Sequence, residues 1–175
     1  MSSLRARLLV AASLVLAAFF VLTAAVLDSA FRESTVQAQR DKLEGLIYAL
    51  LAAARTDING DLTVQTDEIS DRRLVQSVSG LQAALFDEQG RLAWTSTEFL
   101  EMPSPPVPDV GEWIFHQSQL PPLFSLSYGL RWIDLADDPK RYTFVVIEDA
   151  SSFERQLGAY RRELWLWLAA TAGVL

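Results

Sequence analysis

Three aspartates, Asp134, Asp137 and Asp138, are grouped in the stretch WIDLADDPKR. Carboxylates at this spacing can donate oxygens to a hard divalent cation such as magnesium or calcium, which takes about six or more oxygen ligands. The same residues also suit a solvated hairpin turn, because aspartate hydrogen-bonds its own backbone there. Asp67, Glu68 and Asp71 form a second acidic group with the same two readings. His116 is the only histidine. An imidazole beside carboxylates would respond to pH near neutrality; the plainer role is a structural histidine bonded to backbone or water. Trp94 follows a hairpin signal and reads as a core residue.

Other chemistry is excluded by what the chain lacks. It has no cysteine, so disulfides and thiolate metal sites are out. It contains no G-x-S-x-G, H-E-x-x-H, P-loop or G-x-G-x-x-G pattern. No catalytic residue and no organic cofactor is therefore assigned, and enzymatic chemistry is not expected within these residues.

The elements that must position these side chains are framed by two apolar runs. Leu8–Leu27 has twenty residues and no charge. As a helix it would be about 30 Å long, the thickness of a bilayer's hydrocarbon core. That length exceeds the apolar region of a cleaved signal peptide, the alternative for an apolar N-terminus. A second run, LWLWLAATAGVL, covers Leu164–Leu175, with Trp165 and Trp167 placed as interfacial anchors. Arg5 and Arg7 favour a cytoplasmic N-terminus. The expected organisation is a cytoplasmic N-terminus at 1–7, a first transmembrane helix at 8–27, an extracytoplasmic domain at 28–163 and the start of a second transmembrane helix at 164–175.

The domain between the runs has 136 residues, enough for one core. It holds all 22 acidic residues and 13 of the 15 basic ones, a net charge of −9. Such a surface excludes nucleic acid as a partner and is repelled by anionic lipid unless cations bridge the two.

Within it, Val36, Leu43, Ile47, Leu50 and Ala54 recur at helical spacing, so the first span is expected to continue as a helix to Thr56. Asp61–Thr66 reads as extended and Asp67–Gln76 as an irregular helical turn. Leu81–Phe86 and Arg91–Thr95 form a predicted hairpin, with Gly90 supplying the positive φ of its turn. Met102–Gly111 carries four prolines and reads as a rigid surface loop. Trp113–Gln117, Phe124–Leu135 and Tyr142–Glu148 are predicted strands, with Pro121-Pro122 as an interruption and Ala136–Arg141 as a second turn. Ser151-Ser152-Phe153-Glu154 has the form of a capping box opening a last helix. The pattern is α+β: a PAS-like antiparallel sheet with long N-terminal and C-terminal helices continuous with two membrane spans.

Leu46–Leu50 (LIYAL), Phe86–Trp94 (FDEQGRLAW) and Tyr142–Asp149 (YTFVVIED), in that order behind an Arg-flanked span, resemble the PhoQ-type sensor histidine kinases. The resemblance covers essentially the whole chain. It implies a periplasmic PAS-like (PDC) sensor domain on a multi-pass protein of the bacterial inner membrane, working as a homodimer. It further implies responses to divalent cations, cationic peptides or acid, with Trp94 and His116 at matching positions as candidate sensory residues. The parent would be a histidine protein kinase that binds ATP and signals to a cytoplasmic response regulator through regions outside these residues. On this topology His116 lies outside the cytoplasm and is not the phosphoacceptor. The dense acidic run of the enteric proteins is not matched: before Tyr142 there are only Asp134, Asp137 and Asp138, followed by Pro139, Lys140 and Arg141. Other assignments consistent with the layout are a sensor of a different output class, such as a chemoreceptor or cyclic-dinucleotide enzyme, and a membrane-anchored periplasmic binding module.

Overall fold

The computed structural model describes residues 4–58, 60–69, 71–76, 79–97, 106–133 and 139–151. The chain begins with one helix, α1 (Leu4–Ala52), which runs through Asp28 and Ser29. No proline occurs in it and its one glycine is Gly45, so nothing in the backbone chemistry stops it. Its early part is apolar on every side. Leu8, Leu14, Val15, Phe19 and Leu22 are each more than 60% exposed. Among the described residues this is the one helix long and apolar enough to cross a membrane; the mean hydropathy of its apolar window is 2.6 and none of that window is buried.

From Ala38 onward α1 belongs with the sheet in a compact unit, Ala38–Ser151, while Met1–Gln37 is assigned to another. In the Ala38–Ser151 unit the helix is one-sided. Leu43, Ile47 and Leu50 are fully buried and Leu46 is nearly so, the i, i+4, i+7 stripe of an amphipathic helix. The helix stops four residues short of the expected Thr56. Ala54–Thr56 is instead β1, paired antiparallel with β2 (Leu62–Val64). Ala54 keeps its place in the apolar spacing and is 2% exposed, but it is buried from a strand. The cause is local turn chemistry: the Asp57 carboxylate accepts the Asp61 N–H at 2.9 Å, and Gly60 takes φ 81°. Asp67–Gln76 contains two short 3-10 turns, Thr66–Glu68 and Arg72–Val75.

The main sheet comprises β3 (Leu81–Asp87), β4 (Leu92–Thr95), β5 (Trp113–Gln119), β6 (Pro122–Ile133) and β7 (Pro139–Asp149). Its order is β4-β3-β7-β6-β5, and every neighbouring pair is antiparallel. The first and last strands thus pair at the centre. Two prolines expected outside strands begin them: Pro122, expected as part of an interruption, opens β6, and Pro139, expected in a turn, opens β7. The first residue of a strand is where the missing N–H costs least. Lys140 and Arg141, expected in a turn, also lie in β7. Ser152–Leu175, with the expected last helix, its capping box and the second span, lies outside the described residues.

Side-chain alternation gives the sheet two unlike faces. One carries Leu85, Phe124, Leu126, Phe144 and Val146, all fully buried. Lys42 of α1 reaches this face and donates to Glu148 Oε2 at 2.7 Å. Tyr48 of α1 meets Trp113 edge-on at 5.6 Å, and Trp113 stacks on Tyr128 at 4.1 Å. The other face is built of smaller buried residues: Ala84, Ser125, Ser127, Gly129, Thr143 and Val145.

Candidate functional site

β4 and β5 are opposite edges of the sheet, and the chain joining them rests on it at both of its described ends. Its near end is fixed on β3, where the Ser96 N–H donates to Ala83 O at 2.9 Å and Ser96 Oγ accepts the Ala83 N–H. Its far end presses on β6 at Gly129. A Cβ added there would lie 2.3 Å from Asp109 O and 2.7 Å from Pro108 O, so only glycine admits this backbone crossing. The Gly111 N–H donates to Gly129 O at 2.8 Å. The Asp109 N–H donates to Glu112 Oε2 at 2.8 Å. Since a Gly129 side chain would share the face of Ser125 and Ser127, the crossing lies on the face opposite α1.

Beside it opens a cleft of about 290 Å³, near the lower end of small-molecule sites. It is lined by Asp87, Glu88 and Gln89 of the β3–β4 turn, by Val107, Pro108 and Val110 of the crossing segment, and by Gly129, Leu130, Arg141, Tyr142 and Thr143 of β6 and β7. The acidic residues are directed at their own turn. Asp87 accepts the N–H groups of Gln89 and Arg91 at 3.0 and 2.8 Å, and Arg91 Nε at 2.7 Å. Burial by itself would push the Asp87 carboxyl up, but these Arg91 and Gln89 bonds together hold it below the usual carboxylate range. Glu88 Oε1 accepts from Gln89 Nε2. Arg141, next to the Tyr142 that pairs with Asp87, is half-exposed and donates to Asp109 at 3.2 Å.

The predicted site residues fall elsewhere. Asp134, Asp137 and Asp138 lie outside the described residues. His116 is exposed on edge strand β5, opposite Ser125. Trp94 is half-buried on the other edge, β4, opposite Leu85. The two therefore occupy opposite edges and opposite faces, and neither lines the cleft. In the second acidic group, Glu68 pairs with Arg55 at 2.7 Å. Asp71 caps the turn at Arg72–Val75 and pairs with Arg73, whose guanidinium hydrogen bond holds the Asp71 carboxyl below its ordinary range. Among the described residues no group of three His, Asp or Glu gathers that could hold a metal ion. Arg141 and Gly129 were not singled out by spacing. An isolated glycine in an alternating strand was the available signal, since it marks close backbone approach.

Comparisons with family models, with curated proteins and with solved structures return no match for this chain.

Proposed function

We propose that the chain is the input region of a two-component sensor histidine kinase of the PhoQ type. On this reading it lies in a bacterial inner membrane as a homodimer, with a PAS-like domain in the periplasm and a second span after it. The observation that carries the proposal is α1. One helix holds a bilayer-length stretch that is apolar on every side and, further along, an apolar stripe buried in an α+β unit. The five-stranded antiparallel sheet, with its first and last strands paired at the centre, supports the PAS-like assignment.

Cations, cationic peptides or protons would act on the acidic domain by shifting the population of two dimer arrangements. Lys42–Glu148 and the Tyr48–Trp113 contact tie α1 to the sheet and would carry the change into the span. The absence of cysteine makes the test clean. Single cysteines placed along exposed positions of Phe31–Gln37 in the full chain, reconstituted in vesicles, should change their pattern of cross-linking between copies when magnesium, polymyxin-like polycation or acid is added. A pattern that none of these alters removes the sensory reading.

A further inference from the structure

The two edges of the main sheet are built differently. β4 has four residues, starts beside the charged Arg91 and pairs with β3 through a register shift. Short length, flanking charge and irregularity are devices that keep a sheet edge from pairing with another chain. β5 has seven residues, WIFHQSQ, in unbroken register with β6 and without proline, glycine, Asp, Glu, Lys or Arg. The uncharged stretch runs on through the turn to Leu130, and no longer one occurs between Asp28 and Glu163. Among the described residues β6 is the one strand beside β5. The Gly129 N–H donates to Glu112 O, in line with the Trp113–Tyr128 register. Hydrogen-bonded pairs alternate along an antiparallel ladder. Ile114, His116 and Ser118 therefore turn their N–H and C=O groups to β6, while Trp113, Phe115, Gln117 and Gln119 turn theirs outward.

We propose that this edge pairs with the β5 edge of a second copy of the chain, antiparallel about a two-fold axis at His116, so that the two sheets join. The outward ladder groups then meet in hydrogen-bonded pairs, Trp113 with Gln119 and Phe115 with Gln117 of the second copy. Each pair is made twice, as a two-fold interface requires. His116 falls opposite His116, and Ile114 opposite Ser118, at the non-hydrogen-bonded positions. Charge selects the occupant. With 13 basic against 22 acidic residues the domain has a net charge of −9, and two copies repel over most of their surface. The uncharged hairpin is where they approach without setting like charges opposite each other. Trp113, Ile114 and Phe115, half-buried in one copy, lose further apolar surface to water on pairing. The strip is about 24 Å long, small beside the about 1,200–2,000 Å² of a standard interface. Copies held in one membrane by α1 meet at raised effective concentration, which offsets that small size.

The contact rests on the membrane-held second copy of the reading above, and on neither its kinase nor its stimuli. Because the chain has no cysteine, introduced cysteines report it. In the full chain reconstituted in phosphatidylcholine vesicles, His116→Cys should give a disulfide-linked dimer on oxidation with copper phenanthroline. Opposed Cα atoms at a non-hydrogen-bonded position lie about 4.5 Å apart, within the about 4.4–6.8 Å that a disulfide spans. Ile114→Cys alone and Ser118→Cys alone each face their own copy about 14 Å away along the strand and should link at least about tenfold more slowly. Mixed together, those two should link to each other as fast as His116→Cys does to itself. Gln117→Pro removes an outward N–H and none directed at β6, and should slow His116→Cys linking about tenfold. Gln117→Lys keeps the backbone intact and places a charge on the edge; it should slow linking about threefold or more, which separates edge blocking from misfolding. The proposal is overturned if His116→Cys links no faster than Ile114→Cys or Ser118→Cys, or if both Gln117 variants leave its rate unchanged. It is also overturned if in native membranes His116→Cys links to another polypeptide and not to itself. Phe31–Gln37 cross-links that respond to magnesium, polycation or acid, with none at position 116, would remove the edge contact and keep the sensory reading. Linking at position 116 with an unresponsive Phe31–Gln37 pattern would do the reverse.

Discussion

The two faces of the main sheet are made from the same strands by alternate residues, yet they are built for different purposes. The face toward α1 holds Phe124, Leu126, Phe144, Val146 and Leu85, each fully buried. Large apolar side chains interdigitate there, and loss of any one leaves a cavity that its neighbours fill only in part. The other face holds Ala84, Ser125, Ser127, Gly129 and Thr143. Its small side chains let a backbone segment lie directly on the strands, and an open cleft remains beside that segment. Ser127 Oγ is buried there with no hydrogen-bond partner among the described residues, a cost in stability. One face stabilises; the other gives up packing to leave space.

That contrast can be broken by substitution. Phe144→Ala should cost about 3–5 kcal/mol of unfolding free energy, read from denaturant titration of the detergent-solubilised chain. Gly129→Ala should cost less, about 1–3 kcal/mol, because the crossing at Pro108 and Asp109 can lift. It should also raise amide exchange at Val110, Gly111 and Glu112 while leaving that of β3 and β7 unchanged. If instead it cost as much as Phe144→Ala and loosened the whole sheet, the second face would be core and the distinction would fail.

Smaller effects sharpen the same comparison. Glu148→Gln removes half of the pair with Lys42, whose side chain is 34% exposed against 17% for Glu148. Discounted for solvent screening, the loss should be about 1 kcal/mol. A double-mutant cycle with Lys42→Met should assign most of it to the pair. Ser127→Ala should be neutral or stabilising within about 1 kcal/mol, since it removes a buried hydroxyl with no partner among the described residues; a marked loss would mean the hydroxyl is answered by water or another group.

The smallest effect concerns pH. Asp71 and Asp87 have carboxyls held below their ordinary range by Arg73 and by Arg91 with Gln89. Their contribution to stability is therefore present above the unfolded carboxylate value, about 3.9, and is lost as pH falls through the lower folded value. Between pH 7 and 5 these two groups should leave Tm unchanged. Asp87→Asn should lower Tm at pH 7 while flattening its fall below about pH 4. A Tm slope near pH 6 that Asp87→Asn abolished would contradict this.

The local elements were legible because their causes are local. The β3–β4 hairpin follows from apolar strands around Asp87–Gly90, and Gly90 does take φ 74°. The α1 stripe follows from the spacing of Leu43, Ile47 and Leu50. Three boundaries moved where nearby groups competed: Ala54–Thr56 left the helix for a strand pair with Leu62–Val64, and Pro122 and Pro139 proved to be strand starts. The cleft was not legible. Asp87, Gly129 and Arg141 come from separate stretches of the chain, and only the strand order carries the β4–β5 connection over Gly129.

The sequence by itself therefore determined an apolar N-terminal helix of membrane length, an acidic α+β domain and the hairpin at its start, all properties of residue type and near-neighbour spacing. The tertiary structure alone decided which edge each of Trp94 and His116 occupies, that Arg131 faces Arg141, and that a glycine at 129 lets backbone cross a sheet. Register and strand order are set by contacts between residues far apart in sequence, and no periodicity within one stretch encodes them.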